Sequence, residues 1–332
     1  MTMTATLTPP EVILDLCNAN VAGRALQVAA DIGIADCLDD QPRTTADLAA
    51  GTPADPDALA RILRLLEERG VLGRDAEGRW VHTEASRLLR SDHPRSLRAF
   101  ARMTGSPFCW DALGHLHHAV RTGEAGLTRL HPGGWVAYLD AHPDQRAIFQ
   151  AAMTAKAHDD IVAALDAHDF SRYRRICDVG GGHGHLLKAL LDRYPQTTGV
   201  LFERPGVAAQ ATSTRRLDVV AGDFFTDPLP DADAYVLMNI LHDWDDNSAI
   251  AILSAVGKAR RGDGTAVLLL EAVMPEGPQR HRSKTLDVLM LAVTGGRERT
   301  LAEYRDLLSA AGIHLVGATP TATPFSIVEG RT

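Results

Sequence analysis

In Arg175-Ile-Cys-Asp-Val-Gly-Gly-Gly-His-Gly-His, a short apolar run closes on glycines at 180, 181, 182 and 184. A strand that turns at once into a helix needs glycine there, because the backbone bends sharply and a ligand must approach it closely. The free N–H groups and positive dipole end of the following helix then face an anionic group. Nineteen residues past Gly184 stands Glu203, after the apolar stretch Thr198–Phe202. A carboxylate at that spacing can accept both hydroxyls of a ribose. Together these features predict a nucleotide-like cofactor. The dinucleotide fingerprint G-x-G-x-x-G is not met, since its last position is His185. The pattern is instead Gly180-x-Gly182-x-Gly184, preceded by Asp178.

A second constellation lies downstream. His242 follows the apolar run Ala234–Met238 in Met238-Asn-Ile-Leu-His-Asp-Trp-Asp-Asp. An imidazole with an ordinary pKa near ~6.5 suits a general base at neutral pH. Glu271 ends the run Ala266–Leu270, and Glu298 lies in Gly295-Gly-Arg-Glu-Arg-Thr300. Either carboxylate can hold the imidazole through Nδ1–H and leave Nε2 free to take a proton, with Asp243 as a further alternative. In Gly222-Asp223-Phe224-Phe225, Asp223 and Phe224 suit an adenine amino group and ring, while Asp223 equally suits a turn cap.

The elements that carry these residues are readable from periodicity. Seven runs read as strands: Arg175–Val179, Thr198–Phe202, Leu217–Ala221, Ala234–Met238, Ala266–Leu270, His314–Gly317 and Phe325–Glu329. The first five alternate with helical stretches, as in a parallel doubly wound sheet. The last two, after a helix over Leu301–Ala311, form a terminal hairpin that makes the sheet mixed. Ligands in such sheets bind at the carboxyl edge, where the glycine loop and the later strand tips fall. Leu186, Leu187, Leu190 and Leu191 share one face of the helix after the loop.

Upstream, residues 1–100 read as helices with one ribbon. Val12, Leu16, Val21, Leu26, Ala29 and Ile32 mark an amphipathic helix, Thr44 caps a short one, and Asp55-Pro56 opens another that ends near Gly70. Val71–Arg74 and Arg79–His82 form a hairpin. Helix, helix, ribbon is a winged-helix pattern. Its basic residues Arg61, Arg64, Arg69 and Arg74 are interleaved with Glu67, Glu68 and Asp75, which favours a dimerisation module over a DNA-binding one. Residues 101–170 read as a helical linker rich in aromatics, able to wall a pocket, ahead of a catalytic domain over 171–332.

Composition narrows the class. The chain has 332 residues, a net charge of −8 and no long basic run, which argues against nucleic acid. Four scattered cysteines without C-x-x-C spacing read as reduced thiols of a cytoplasmic protein. No apolar run reaches membrane-spanning length, and the first ten residues lack a signal-peptide core. His115, His117 and His118 lack the i, i+4 spacing of helical metal ligands, so no metal is expected.

Taken in order, Asp178-Val-Gly-Gly-Gly-His-Gly, Gly222-Asp-Phe-Phe, Ile240-Leu-His-Asp-Trp-Asp-Asp, Leu268-Leu-Leu-Glu-Ala-Val-Met-Pro-Glu and Gly295-Gly-Arg-Glu-Arg-Thr resemble the caffeate/acetylserotonin-type small-molecule O-methyltransferases, including bacterial members that decorate secondary metabolites. The resemblance runs from about residue 12 to 330. It implies a Rossmann-like α/β domain that binds S-adenosylmethionine (SAM), with S-adenosylhomocysteine as product, behind a winged-helix-like N-terminal domain that builds a homodimer. It implies a metal-independent enzyme with its acceptor between the domains. It carries the base to His242 and the orienting role to Glu271 and Glu298. Cofactor contacts fall on Asp178, Gly180, Gly182, Gly184, Glu203, Asp223, Phe224, Asn239 and Trp244. The acceptor pocket falls on Phe149, Met153, Met290 and Trp110. Two positions depart from the common pattern of the resembled family: Met238 stands where many relatives carry lysine or another polar residue, and Glu203 where plant relatives usually carry aspartate, though bacterial relatives often carry glutamate. The implied reaction methylates a hydroxyl of an aromatic or polyketide-like molecule. The alternatives are N-methylation or another SAM-assisted reaction on the same fold, and a ligand-responsive winged-helix regulator, which lacks its basic recognition helix.

Overall fold

The structure, a computed structural model, describes residues 7–260, 262 and 264–332. The chain divides into two compact units, one of residues Met1–Trp110 and Pro143–Ala155, the other of Asp111–His142 and Lys156–Thr332.

The first unit opens with a helix over Pro9–Asp31, capped by Thr8, whose N–H donates to the Glu11 carboxylate at 2.7 Å. Ala25, Ala29 and Ala30 are buried, all in its second half, while Val12, Ile13, Leu14, Leu16 and Val21 are exposed. The apolar periodicity does mark a helix, yet half of its stripe has no core to enter within one chain. Thr44 caps the helix Thr45–Ala50 in a capping box with Asp47, and Asp55 caps Pro56–Glu68 through the N–H groups of Asp57 and Ala58. Leu59, Leu63 and Leu66 of that helix are buried with Leu38, Leu48 and Trp80. Truncating a core leucine such as Leu63 to alanine costs about 2–5 kcal/mol. The ribbon is β1 (Leu72–Arg74) against β2 (Trp80–His82), antiparallel, with Leu72 opposite His82. Trp80 anchors it, donating from its indole nitrogen to Thr45 Oγ1 at 2.9 Å under the Arg74 guanidinium.

The second unit is built on a seven-stranded sheet of β3 (Arg175–Val179), β4 (Thr198–Glu203), β5 (Leu217–Ala221), β6 (Ala234–Met238), β7 (Ala266–Glu271), β8 (His314–Pro320) and β9 (Ser326–Arg331). Their spatial order is β5-β4-β3-β6-β7-β9-β8. The first five are parallel, and β9 runs antiparallel to both β7 and β8. Alternate residues of each strand feed opposite cores: Val267 and Leu269 join Tyr235, Ile252 and Tyr304, while Leu268 and Leu270 join Leu187, Leu190 and Ile161. Both faces are therefore covered by helices, which is why the central strands read as unbroken apolar runs. The five parallel strands lie where the periodicity puts them. The last strand runs two residues further than expected, to Arg331, because Arg331 still pairs with Ala266 on one side and His314 on the other. Gly330 and Arg331 carry no apolar signal of that ladder. Chain order reverses between β3 and β6, so the loops after these two strands open on one crevice. No helix among the described residues is long and apolar enough to cross a membrane.

Candidate active site at the carboxyl edge of the sheet

The loop after β3 holds Gly180, Gly182 and Gly184 at φ of 71°, 59° and 73°. Side chains rarely take that conformation, and none of the described residues lies within 4 Å of where a Cβ on Gly182 would stand. A Cβ on Gly180 would meet Ile240 and come within 3.8 Å of Phe224 Cε1, so the glycine loop, the β5–β6 loop and the β6–β7 loop adjoin one another. Glu203, at the tip of β4, accepts the Gly182 N–H at 2.9 Å and the Arg204 N–H at 2.7 Å. Burial pushes its carboxyl up, against the pull of those two N–H groups. Asp178 lies under the loop with neither oxygen hydrogen-bonded among the described residues. Burial, reinforced by the charge of Glu203, raises its carboxyl from 3.8 to about 7.

On the opposite wall, Asp223 Oδ1 accepts the Phe225 N–H at 2.9 Å, and the Asp223 N–H donates to Asp227 at 2.8 Å. The carboxylate thus caps its own turn with one oxygen. Phe224, Phe225, Trp244 and Trp135 form an aromatic cluster, with ring centroids 4.8 Å apart for Phe225 and Trp244 and 5.9 Å for Trp135 and Trp244. Asn239, at the tip of β6, takes φ 55°, a left-handed conformation that asparagine tolerates better than most residues.

His242 follows in a short 3-10 turn, Leu241–Asp243, and is buried. Its Nδ1 lies 2.8 Å from Glu298 Oε1 and 3.8 Å from Glu271 Oε2. When Glu298 is ionised it can only accept, and the bond then takes its proton from Nδ1. Asp243 Oδ1 lies 3.7 Å from Nε2. Glu271 has another engagement: its Oε1 accepts the N–H groups of Ile240 at 3.0 Å and Leu241 at 2.9 Å, pinning the start of the turn. Burial raises all three acids, Glu298 to about 7 and Asp243 to about 6; Lys156 opposes the rise most at Glu298 and the His242 charge most at Asp243.

The turn is held from behind by residues that the spacing argument did not single out. Arg299 is fully buried and donates to the carbonyls of Leu241 (2.8 Å) and Trp244 (2.9 Å) and to Asp246 Oδ1 (2.8 Å). Gly296 lies so close to the backbone of His242, Asp243 and Trp244 that any Cβ would overlap it. Lys156 also reaches this region, its Nζ 3.4 Å from Asn239 Oδ1. A signal for it existed: Phe149, Met153 and Lys156 recur at helical spacing in one segment.

The four expected pocket residues divide between the units. Trp110 lies under the Arg24 guanidinium, 4.9 Å from it, and Phe149 packs edge-on against Phe108 at 5.7 Å; these two and Met153 belong to the first unit. Met290 is buried in the second, near the end of the helix Arg282–Val293.

Two family models match the chain, an O-methyltransferase domain over residues 113–314 and an O-methyltransferase dimerisation domain over residues 14–92. Phenazine O-methyltransferase PhzM of Lysobacter antibioticus is 36% identical over 327 residues, covering 96% of this chain and 95% of that protein. The 8-amino-8-demethylriboflavin N,N-dimethyltransferase of Streptomyces davaonensis is 37% identical over 318 residues, covering 92% of this chain and 90% of its own length. Among solved structures, the O-methyltransferase NcsB1 from neocarzinostatin biosynthesis, in complex with S-adenosylmethionine and 2-hydroxy-5-methyl naphthoic acid, superposes with a TM-score of 0.82 at 33% identity, covering 98% of this chain and 99% of that one.

Proposed function

This chain belongs to the O-methyltransferase family, and from that premise we propose that it methylates a hydroxyl of an aromatic or polyketide-like small molecule with SAM, using His242 as general base. The observation that carries the reading is the buried His242–Glu298 pair, 2.8 Å apart, on the crevice that the glycine loop also borders. The loop suits the cofactor: its left-handed glycines leave the backbone open, and Glu203 stands at the neighbouring strand tip where a ribose would be held. Phe224 and Trp244 offer ring faces beside it, with Asp223, Asn239 and the buried Asp178 as its polar surround. When bound, SAM supplies a methyl group already activated by its sulfonium.

The chain's own residues do the rest. A phenol with a pKa near ~10 is almost wholly protonated at neutral pH. Nε2 of His242 takes that proton as the oxygen attacks, and Glu298 stabilises the resulting imidazolium through Nδ1. Base catalysis of this kind is worth roughly 10²–10⁴-fold. Glu271 and Arg299 bond the backbone of the turn, so the imidazole is presented without rearrangement. One relative is named for N-methylation, but a neutral aromatic amine already carries its lone pair, so an oriented buried base favours oxygen.

Acceptor contacts are proposed for Met290 in the second unit and, within the first, for Trp110, Phe149 and Met153. The exposed face of Val12, Ile13, Leu16 and Val21, which runs into the segment 14–92 matched by the dimerisation model, supports a homodimer in which a second copy covers these residues. Free Cys17, Cys37, Cys109 and Cys177 suit a reducing compartment such as the cytoplasm.

The test is turnover of labelled SAM against a panel of phenolic acceptors. His242→Ala should lower turnover by about two to four powers of ten with SAM affinity kept, and rising pH should partly rescue it as the phenolate forms unaided. Near wild-type turnover at neutral pH would sink the base assignment.

A further inference from the structure

We propose that Lys156 receives an anionic substituent of the acceptor, so that this enzyme prefers hydroxylated aromatic carboxylic acids to neutral phenols. The proposal rests on the methyl-transfer reading above and adds the acceptor's charge to it. Lys156 lies in the helix Pro143–Ala167, whose Nζ-bearing side chain is half-buried. Its one hydrogen bond among the described residues is to Asn239 Oδ1, at 3.4 Å, a long contact for N–H···O. The ring of Phe325 lies 5.6 Å from the same nitrogen. Both partners are neutral. An ammonium has three N–H donors, and a sequestered one is costly unless paired. Asp160, Glu298 and Asp243 are near enough to favour its charge, and Arg282 to oppose it, but none of the three acids makes an ion pair with it among the described residues.

Burial, with Arg282, lowers the Lys156 pKa, so its ammonium gains from an added anion; it has donors to spare and stands beside the residue three positions before the base. A structural counter-ion would sit against its acid, as Arg299 sits on Asp246 at 2.8 Å. A ligand carboxylate matches what Lys156 lacks: it is charged, accepts from several N–H groups, and is absent from this nitrogen's contacts among the described residues. With the reactive hydroxyl directed to Nε2 of His242 and the carboxylate to Lys156, two points fix the ring in its plane. That selects which hydroxyl is methylated.

The test uses matched pairs: hydroxynaphthoic and hydroxybenzoic acids against their carboxamides. Binding to the S-adenosylhomocysteine-loaded enzyme is measured by calorimetry, and methyl transfer from labelled SAM is measured in parallel. Wild type should bind the preferred acid at least tenfold more tightly than its amide. Lys156→Gln should erase that preference, weakening the acid at least tenfold more than its amide in the calorimetric titration. Lys156→Arg should keep most of the preference. Equal affinity of wild type for acid and amide, or binding of neither, overturns the proposal. So does a Lys156→Gln effect that falls equally on both acceptors, as for a counter-ion, or falls on SAM. Acid-selective binding without any methyl transfer would fail the reaction while leaving the role of Lys156 standing.

Discussion

The sharpest consequence of the geometry is a difference between two glutamates that look alike in the chain. Glu298 Oε1 is 2.8 Å from Nδ1 of His242, whereas Glu271 Oε2 is 3.8 Å away, beyond a hydrogen bond. Both acids have fully buried side chains, so solvent screens neither. A hydrogen bond to a charged group is worth about 1.5–3 kcal/mol. If Glu298→Gln withdraws that from the developing imidazolium, at ~1.36 kcal/mol per decade, kcat falls by about one to two powers of ten. The loss is larger if the amide turns its NH₂ to the ring, because Nδ1 must then accept and Nε2 is left protonated. Glu271→Gln keeps a carbonyl for the Ile240 and Leu241 N–H groups and should cost only a few-fold in rate. The sign with pH follows from the raised carboxyl: Glu298 is charged above about 7 and loses that charge below it. Wild-type kcat should therefore climb with pH through the neutral range, as a property of the His242–Glu298 pair, and Glu298→Gln should flatten the climb. The assay is a pH series of kcat on the three proteins with one acceptor, with SAM affinity read by calorimetry. Wild-type rate and profile in Glu298→Gln, or greater damage from Glu271→Gln, would refute the reasoning.

Other outcomes follow from the same structure. Glu203→Ala should weaken SAM binding roughly 10- to 100-fold in calorimetric titration, with no measurable NAD binding by wild type; NAD binding alone would overturn the cofactor assignment. Asp178, raised from 3.8 to about 7, holds its proton when folded in a window where the unfolded chain has lost it, so its contribution to stability falls from pH ~4 to ~7 and stays low above. Asp178→Asn should therefore raise the cofactor-free Tm at pH 8 relative to its effect at pH 4.5; an equal shift at both would contradict the buried carboxyl. Light scattering should report about twice the 35.7 kDa chain mass, and Ile13→Asp with Leu16→Asp should shift it towards one.

Much of the scaffold was legible because its signals are local. Arg175–Val179 reads as a strand from five consecutive residues, and the turn after it reads from glycines whose φ values only glycine takes easily. Leu186, Leu187, Leu190 and Leu191 declare a buried helix face by spacing alone, and all four are buried. The last strand shows where local signals end, since its extension to Arg331 depends on two neighbouring strands. The site shows the same division. A histidine at a strand tip and two acids at the same sheet edge can be found by counting residues. Which acid touches the imidazole is a matter of ångströms between groups 56 and 29 residues apart, and packing decides it. Glu271 spends one oxygen on the backbone of the turn because β7 ends beside β6, and no motif records that. Asp223 caps its own turn through one oxygen, a choice the tetrapeptide left open. Lys156 stands in the chain as one lysine on a long helix. Only the folded sheet brings it to Asn239 without an ion pair to an acid among the described residues, because a charge's partners are set by where elements pack and not by the residues beside it in sequence.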